Sequence, residues 1–340
     1  MKPKIILAIE SSCDETAIAV LKGKKLLANV VSSQIDFHQK YGGVMPEIAS
    51  RLHLENIGFV LSEALEKSKI KMEDVSAIAV TRGPGLIGSL QIGLNAAKTL
   101  AMIYQLPLIP VHHLAAHIYA NEFVKPLVFP ALAVVVSGGN TELIYMTKHL
   151  SFEVIGATLD DAIGECFDKC ARVLGLPYPG GVYVDKYAKE GQITYDLPSH
   201  FDDGTLNVSY SGLKTAVVNL VNNLKQAGQV VRIPDMCASF QTAAIKMLVK
   251  RINKALDKYP VTQIVLAGGV SANSLLREEV ASIAKARNID CILPPLWTTT
   301  DNGAMIAILG RRLYQKKTFS SLSIDSDANW RIEDFDKFKT

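Results

Sequence analysis

The chain has 340 residues, 49% of them hydrophobic and 20% charged, which is enough apolar material for about two buried cores. Its 36 Lys and Arg residues nearly balance its 33 Asp and Glu residues, and the resulting net charge of +3 excludes a highly charged disordered protein. The same balance lacks the basic excess of many nucleic-acid-binding domains and, taken alone, favours an enzyme that acts on a small molecule.

Cysteine usage and apolar runs indicate the compartment. The five cysteines are odd in number and form no CxxC pair, so we expect no disulfide framework and a reducing environment. The N-terminal apolar run Ile5–Ile9 is shorter than the roughly 7 to 15 apolar residues of a secretory signal. No stretch approaches the roughly 18 apolar residues of a membrane span. We therefore expect a cytoplasmic protein that does not enter a membrane.

The first part of the chain predicts a strand–turn–strand unit, then helices and a glycine-rich loop. Pro46 opens a helical pattern, because proline is favoured at the first helical position. Residues 81–90 form a glycine-rich loop that leads into a helix through Leu100, and a helix with three histidines comes later. The predicted strands are Ile5–Ile9, Ala17–Leu21, Leu26–Val31, Ala77–Val80 and Leu106–Val111.

The second part repeats this order. Ala131–Val136 and Glu142–Met146 predict two strands around the short turn 137–141. Ile264–Leu266 predicts a strand before another glycine turn and a helix that starts at Ser274. The repeated order predicts a duplicated α/β architecture.

We place the first lobe at residues 1–128 and the second at 129–300. A C-terminal helix and tail, 301–340, is expected to pack back near the first lobe. A cleft between two such lobes is the expected ligand site.

Glycine turns occur at matching places in the two halves. Glycine lets the backbone approach an anion closely, so that its N–H groups hold the anion's oxygens. A single turn of this kind is commonly only a turn, but two in matching places favour nucleotide or phosphate binding. The chain has no Walker A loop, and the GxGxxG run that begins at Gly83 lacks the acidic residue of a dinucleotide site. The turns lie at 83–85, 137–139, 179–181 and 268–269.

The run His112-His-Leu-Ala-Ala-His117 is the sharpest local feature. On a helix, His113 and His117 share one face, and this spacing lets two imidazoles bind one metal ion. His112 points about 100° away. The alternative is that these histidines pack or cap the helix. Leu114 occupies the position where a zinc peptidase of the HExxH type has its general base, which argues against a peptidase.

A metal ion needs a third ligand, and Asp301 is a candidate. It lies in a polar turn before the apolar helix Ala304–Leu309. The competing interpretation is that Asp301 is the N-cap of that helix, where aspartate is common.

Several long motifs occur in one order over nearly the whole chain. They are 10–16, 42–51, 80–90, 113–117, 136–141, 164–169, 178–181, 210–215, 267–273 and 300–303. By these motifs and their order, the chain resembles the bacterial TsaD family, the tRNA N6-adenosine threonylcarbamoyltransferases, once described as glycoprotein endopeptidases. Two departures are mild: Asn140 stands where many members have His, and Tyr210 where Phe is usual.

The resemblance implies a fold and a set of site residues. The fold is α/β, the duplicated actin-like (ASKHA, ribonuclease H-like) two-lobe fold with an interlobe cleft, shared with sugar kinases and heat-shock ATPases. One divalent metal ion per chain, iron(II) or alternatively zinc, is held by His113, His117 and Asp301. The nucleotide part of threonylcarbamoyl-AMP is contacted by Val136, Ser137, Gly138, Gly139, Asn140, Asp168, Gly181, Asp185 and Asn273. From the residues alone, the favoured interpretation of Asp185 is a solvated helix residue.

The resemblance also implies an activity and partners. The threonylcarbamoyl group passes from threonylcarbamoyl-AMP to the N6 amine of the adenosine 3′ of the anticodon, position 37, in tRNAs that read codons starting with adenine. The implied partners are tRNA, a TsaB-like paralogue and a TsaE-like ATPase. The alternatives are an ATP-dependent small-molecule kinase of the same fold and a non-catalytic scaffold paralogue. Four basic residues can face tRNA or simply end a helix: Arg311, Arg312, Lys316 and Lys317.

Overall fold

Two five-stranded mixed sheets, each covered by helices, organise the chain. The structure is a computed structural model that describes residues 3–199 and 203–337. The strands are β1 (Ile5–Glu10), β2 (Glu15–Lys22), β3 (Lys25–Ser33), β4 (Ala77–Gly83), β5 (Leu108–His112), β6 (Ala131–Val136), β7 (Thr141–Met146), β8 (Glu153–Ala157), β9 (Gln263–Ala267) and β10 (Asp290–Ile292). The helices are α1 (Ile35–His38), α2 (Pro46–Ser68), α3 (Ile87–Tyr104), α4 (His113–Ala120), α5 (Ile163–Val173), α6 (Gly180–Ala188), α7 (Ser211–Gln226), α8 (Ile233–Lys258), α9 (Ser274–Ala286) and α10 (Gly303–Gln315).

The chain divides into two compact units. Unit 1 comprises Met1–Pro126 and Thr300–Thr340, and unit 2 comprises Leu127–Thr299. None of the helices within the described ranges is long and apolar enough to cross a membrane.

The unit 1 sheet has the order β3-β2-β1-β4-β5. β1, β2 and β3 pair antiparallel as a meander, whereas β4 and β5 add in parallel. All six residues of β1 are buried, as expected for a central strand covered on both faces. The short polar turn that the sequence predicts connects the end of β1 to the start of β2.

Helix α10 brings the C-terminal part of the chain onto this sheet. It packs against α4, β1 and β2. Small residues make this close approach possible: a Cβ added to Gly303 would lie 2.6 Å from the backbone nitrogen of Ala19, and one added to Gly310 would lie 2.5 Å from the Cβ of Ala79. Asp301 is thereby carried to the same unit as the two histidines of α4.

The unit 2 sheet has the order β10-β9-β6-β7-β8. β6, β7 and β8 pair antiparallel, and β9 and β10 add in parallel. Strand order and pairing directions therefore match those of unit 1 element by element. The core of unit 2 combines β6 with α5 and α8, where Phe167 and Phe240 meet edge to face.

Candidate metal centre and nucleotide site

Helix α4 presents His113 and His117 on one face. β5 ends at His112 and α4 begins at the next residue, so His113 is the first helical residue and His117 lies one turn later. The two imidazole rings are 4.7 Å apart between centroids and perpendicular to each other. Both are buried, with 8% of His113 and 2% of His117 exposed. The pair is thus fixed within the packed interior.

Asp301 completes the group from a distant part of the chain. Its Oδ1 lies 3.0 Å from Nε2 of His117 and 3.4 Å from Nε2 of His113. The N-cap of α10 is Asn302, whose Oδ1 accepts a hydrogen bond from the backbone nitrogen of Met305 at 3.0 Å. The capping role proposed for Asp301 therefore belongs to its neighbour, and the Asp301 carboxylate faces the histidines instead.

These three side chains fit a divalent cation. Their ligand atoms all lie within 4.8 Å of one another. Two imidazole nitrogens and one carboxylate oxygen form a donor set that suits zinc and non-haem iron(II). Both Nε2 atoms lie close to the same carboxylate oxygen, so one ion placed among these three atoms can meet all three donors.

Negatively charged carboxylates are concentrated around His113. Burial alone lowers the pKa of this imidazole, but the carboxylates of Asp301 and Glu10 raise it to about 9. Burial alone raises the pKa of Asp301, yet the neighbouring imidazoles lower it to about 2. The two carboxylates therefore favour a positive charge at this position, and a bound metal cation would supply one.

His112 takes no part in the group. Its Nε2 donates a hydrogen bond to the carbonyl oxygen of Trp330 at 2.9 Å, and its Nδ1 accepts one from the backbone nitrogen of Ala115 at 3.5 Å. Burial lowers the pKa of His112 to about 3, which keeps the ring neutral. His112 is therefore the N-cap of the helix that carries the other two histidines.

In unit 2, the turn between β6 and β7 is closed by two hydrogen bonds. Ser137 donates its backbone N–H to the carbonyl of Asn140 at 2.8 Å, and Asn140 donates its own to Oγ of Ser137 at 3.0 Å. A Cβ added to Gly138 or Gly139 would meet open space, so the tip of this turn is accessible.

Two other glycines support this turn from behind. A Cβ on Gly164, in the first turn of α5, would lie 2.5 Å from the carbonyl oxygen of Ser137. A Cβ on Gly268 would lie 2.4 Å from the carbonyl oxygen of Val136. Gly164 also donates its N–H to the Ser137 carbonyl at 3.2 Å. Close packing of glycine backbone thus fixes the position of the predicted phosphate turn.

The predicted nucleotide residues on α5 and α6 are linked through helix termini. Oδ1 of Asp168 accepts a hydrogen bond from the backbone nitrogen of Gly180 at 2.7 Å, at the start of α6. Gly181 is the next residue of α6, and an added Cβ there would make only ordinary contacts with Phe167. The packing in unit 2 therefore does not explain why position 181 is glycine.

Asp185 and Asn273 meet at the start of α9. Oδ1 of Asp185 accepts hydrogen bonds from the backbone nitrogen and the hydroxyl of Ser274, at 3.1 and 2.7 Å. Asn273 caps α9 by accepting from the backbone nitrogen of Leu276 at 3.0 Å, and it donates to Oε1 of Gln241 at 2.8 Å. Asp185 is thus tied to a neighbouring helix, which is not the solvated position that the sequence left open.

The structure places all nine predicted nucleotide residues in unit 2 and connects them through the turn, α5, α6 and the start of α9. It also reveals a residue that the sequence analysis did not single out. Glu10 ends β1, is fully buried, and lies 3.2 Å from Nδ1 of His113. An acidic residue directly after five apolar strand residues was the available signal.

Known proteins agree with the fold and the motif order. The family model "TsaD: tRNA N6-adenosine threonylcarbamoyltransferase" matches residues 25–308. A protein of that name from Bacillus cereus (strain ATCC 10987 / NRS 248) is 51% identical over 335 residues, covering 98% of each chain. Another, from Staphylococcus carnosus (strain TM300), is 48% identical over 336 residues, again with 98% coverage of both.

Among solved structures, component A of the Acidaminococcus fermentans (R)-2-hydroxyglutaryl-CoA dehydratase matches with a TM-score of 0.55 and 16% identity, over 91% of this chain and 98% of that one. Full-length HypF matches with a TM-score of 0.60 and 13% identity; the match covers 94% of this chain and 48% of HypF, so this chain spans about half of that protein.

At such identities, these matches bear on the fold alone, and they confirm the expected duplicated actin-like α/β architecture. The matched relatives are named as transferases, so the kinase and scaffold alternatives gain no support. By motif order, family model and half-identical relatives, this chain belongs to the TsaD family of tRNA N6-adenosine threonylcarbamoyltransferases.

Proposed function

We propose that this protein transfers the threonylcarbamoyl group of threonylcarbamoyl-AMP to the N6 amine of adenosine 37 in tRNAs that read codons starting with adenine. The amine nitrogen attacks the carbamoyl carbonyl carbon, and the bond from that carbon to the phosphate oxygen breaks. The products are N6-threonylcarbamoyladenosine in the tRNA, free AMP and the proton that the amine nitrogen loses. The observation that carries the proposal is the convergence of His113, His117 and Asp301 in a chain about half identical to named transferases.

The metal centre belongs to unit 1. His113, His117 and Asp301 would hold one divalent ion, iron(II) or alternatively zinc, through two Nε2 atoms and Oδ1. When bound, such an ion supplies Lewis acidity toward a carbonyl oxygen and a fixed point for orienting the acyl group. Both histidines are buried, so the surrounding packing limits the rotation of their rings.

The nucleotide side of the donor belongs to unit 2. The backbone N–H groups of the turn from Ser137 to Asn140 would receive the phosphate, with Val136 at the base of the turn. Asp168, Gly181, Asp185 and Asn273 would line the nucleoside part. Support comes from the accessible tip of the turn and from the hydrogen bonds that fix these side chains before any ligand arrives. AMP is a good leaving group and needs little acid assistance.

The acceptor and the partner proteins follow from the family. We expect tRNA to bind with the help of a TsaB-like paralogue and a TsaE-like ATPase, in the cytoplasm. Of the four basic residues near the C-terminus, Arg312 is paired with Glu122 and lies over the ring of Tyr119, 5.4 Å from its centroid. Lys316 and Lys317 are exposed and remain available to phosphate groups.

The direct test is transfer in vitro. Purified protein, with the two partner proteins, is incubated with threonylcarbamoyl-AMP and an unmodified tRNA transcript, and the nucleosides are then analysed by mass spectrometry. We expect N6-threonylcarbamoyladenosine in a transcript that reads codons starting with adenine, and none in a transcript whose anticodon is changed to read codons starting with cytosine.

His113→Ala is the matched variant for the metal centre. We expect it to bind less metal and to form product far more slowly. Product formation at the normal rate with undiminished metal binding would contradict the proposed role of the centre, and absence of product from the wild-type reaction would contradict the proposed activity.

A further inference from the structure

Glu10 is a carboxylate at the end of an apolar strand. The preceding five residues of β1 are Ile5–Ile9, and the Glu10 side chain is fully buried. A buried carboxylate is costly unless charges and hydrogen bonds compensate it. The compensation around Glu10 therefore indicates why the residue is there.

Three groups of unit 1 face this carboxylate. Oε1 accepts a hydrogen bond from the backbone nitrogen of Ser12 at 2.5 Å. Oε2 accepts one from the hydroxyl of Thr81 at 2.6 Å and lies 3.2 Å from Nδ1 of His113. The Ser12 hydroxyl oxygen is also 3.1 Å from Nδ1 of His113. Both oxygens of Glu10 are thus engaged, and one of them is directed at the imidazole.

The two nitrogens of His113 face two different carboxylates. Nδ1 faces Glu10, and Nε2 lies 3.4 Å from Oδ1 of Asp301 on the other side of the ring. A proton on Nδ1 that is donated to Glu10 leaves the Nε2 lone pair directed toward Asp301, where the metal centre lies.

His117 provides an internal contrast. Its Nε2 also faces Asp301, at 3.0 Å, but its Nδ1 is buried and has no hydrogen-bond partner among the described residues. The two candidate ligands are therefore not equivalent, because only His113 has an anionic group behind it.

We propose that Glu10 is a positioning residue of the metal centre: it accepts the Nδ1–H of His113, fixes the tautomer and ring orientation, and strengthens Nε2 as a ligand. The inference rests on the proposed metal centre. Carboxylates behind ligating histidines act in this way in many metal sites, and their loss typically lowers metal affinity about 10- to 100-fold. Glu10 also balances charge, since its carboxylate and that of Asp301 together neutralise a divalent ion.

A purely structural role must be distinguished from this one, because Glu10 also joins β1 to β4 through Thr81. Two variants separate the roles. Glu10→Gln keeps the size and one acceptor oxygen but removes the charge behind His113. Thr81→Val removes the hydrogen bond between the strands and leaves the carboxylate facing the imidazole.

The readout is cobalt(II) binding to the purified full chain, measured by competition with a chromogenic chelator and by the visible absorption of the bound ion. We expect Glu10→Gln to lower cobalt affinity at least tenfold and to shift the absorption bands, and Thr81→Val to stay within about threefold of the wild type. Equal losses in the two variants, or an unchanged affinity and spectrum in Glu10→Gln, would overturn the inference.

A second measurement needs no variant of Glu10. In the zinc-loaded wild type with ¹⁵N-labelled histidine, long-range ¹H–¹⁵N spectra report which nitrogen of His113 carries the proton. Protonated Nδ1 with Nε2 on the metal supports the proposal, and the reverse arrangement contradicts it. A wild-type chain that binds neither cobalt nor zinc would refute the metal centre itself, which is a different result from a centre indifferent to Glu10.

Discussion

Asp301 and Asn302 are adjacent residues with separate tasks. Asn302 caps α10. The carboxylate of Asp301 instead faces the two histidines of α4, and His117 lies 184 residues earlier in the chain. The histidine pair was predictable because its spacing is a local property of a helix. The third candidate ligand could not be decided from the local pattern, because an aspartate before a helix is equally typical of an N-cap.

The same limit applies to Asp185. The sequence allowed a substrate contact or a solvated helix position. In the structure, the Asp185 carboxylate accepts hydrogen bonds from Ser274, the first residue of α9. Only the fold brings Asp185 and Ser274 together, 89 residues apart in the chain. Polar residues that cap a distant helix carry no signal in their own neighbourhood.

Asp185→Ala is expected to destabilise unit 2 by about 1 kcal/mol, because the backbone nitrogen and the hydroxyl of Ser274 both lose their acceptor. Thermal unfolding of the ligand-free protein measures this loss. Ser274→Ala, which removes only the hydroxyl, is expected to lose less. An unchanged midpoint for Asp185→Ala would show that the contact contributes nothing.

At the scale of elements, strands were predictable where apolar runs are continuous. β1, β2 and β6 are buried along nearly their whole length, and their apolar runs predicted the bounds of each within a few residues. β8 and β10 were not predicted. β10 has three residues and β8 contains Gly156 between half-buried positions, so neither has a distinct period.

The predicted phosphate turn depends on the element behind it. Gly164→Ala introduces a Cβ that would lie 2.5 Å from the Ser137 carbonyl oxygen, so the turn must shift. We expect the KM for threonylcarbamoyl-AMP to rise at least about tenfold, since a displacement near 1 Å at a binding loop commonly costs that much or more. Steady-state kinetics measures the change.

Gly212→Ala, in the first turn of α7, is the control for this variant because an added Cβ there meets nothing within 4 Å. A KM for Gly164→Ala equal to that of Gly212→Ala would argue against the proposed phosphate turn.

The C-terminal segment around Trp330 supports the N-terminal end of α4. Trp330 is buried, its carbonyl accepts the hydrogen bond of His112, and the guanidinium of Arg82 lies over its ring at 4.7 Å from the centroid. Phe335 also packs against this ring. The segment thus holds the N-cap of the helix that carries both candidate ligands.

Trp330→Ala is expected to destabilise unit 1 by about 3 kcal/mol, through the cavity left by a buried indole. Cobalt affinity should fall as well, because the cap of α4 loses its support. Unfolding and cobalt titration measure the two effects. Leu322→Ala, at a position 43% exposed in the same segment, should change neither. A stable Trp330→Ala protein with full cobalt affinity would refute the anchoring role.

At the scale of the whole molecule, the two sheets share strand order and pairing directions, which is the duplication that the repeated motifs predicted. With tRNA as the proposed acceptor, the net charge of +3 predicts only a weak overall electrostatic attraction between this chain and tRNA. Of the four basic residues considered for tRNA contact, Arg312 is already paired with Glu122.

The isolated chain is therefore expected to bind tRNA weakly, with a dissociation constant of about 1 µM or higher at physiological salt and a shallow dependence on salt concentration. Fluorescence anisotropy with labelled tRNA measures both, and addition of the partner proteins should tighten binding. Tight binding by the chain alone with a steep salt slope would require a basic surface that the charge balance does not suggest.

The central expectation is that threonylcarbamoyl transfer depends on the proposed metal centre. The decisive measurement takes metal content and N6-threonylcarbamoyladenosine formation from the same preparations of wild type and Asp301→Asn. The wild type should hold one divalent ion per chain and modify tRNA, and the isosteric variant should lose the ion and at least about 100-fold in rate, as expected when a Lewis-acid centre is removed. A variant that lacks metal yet transfers at the wild-type rate would contradict the proposed role of the metal centre.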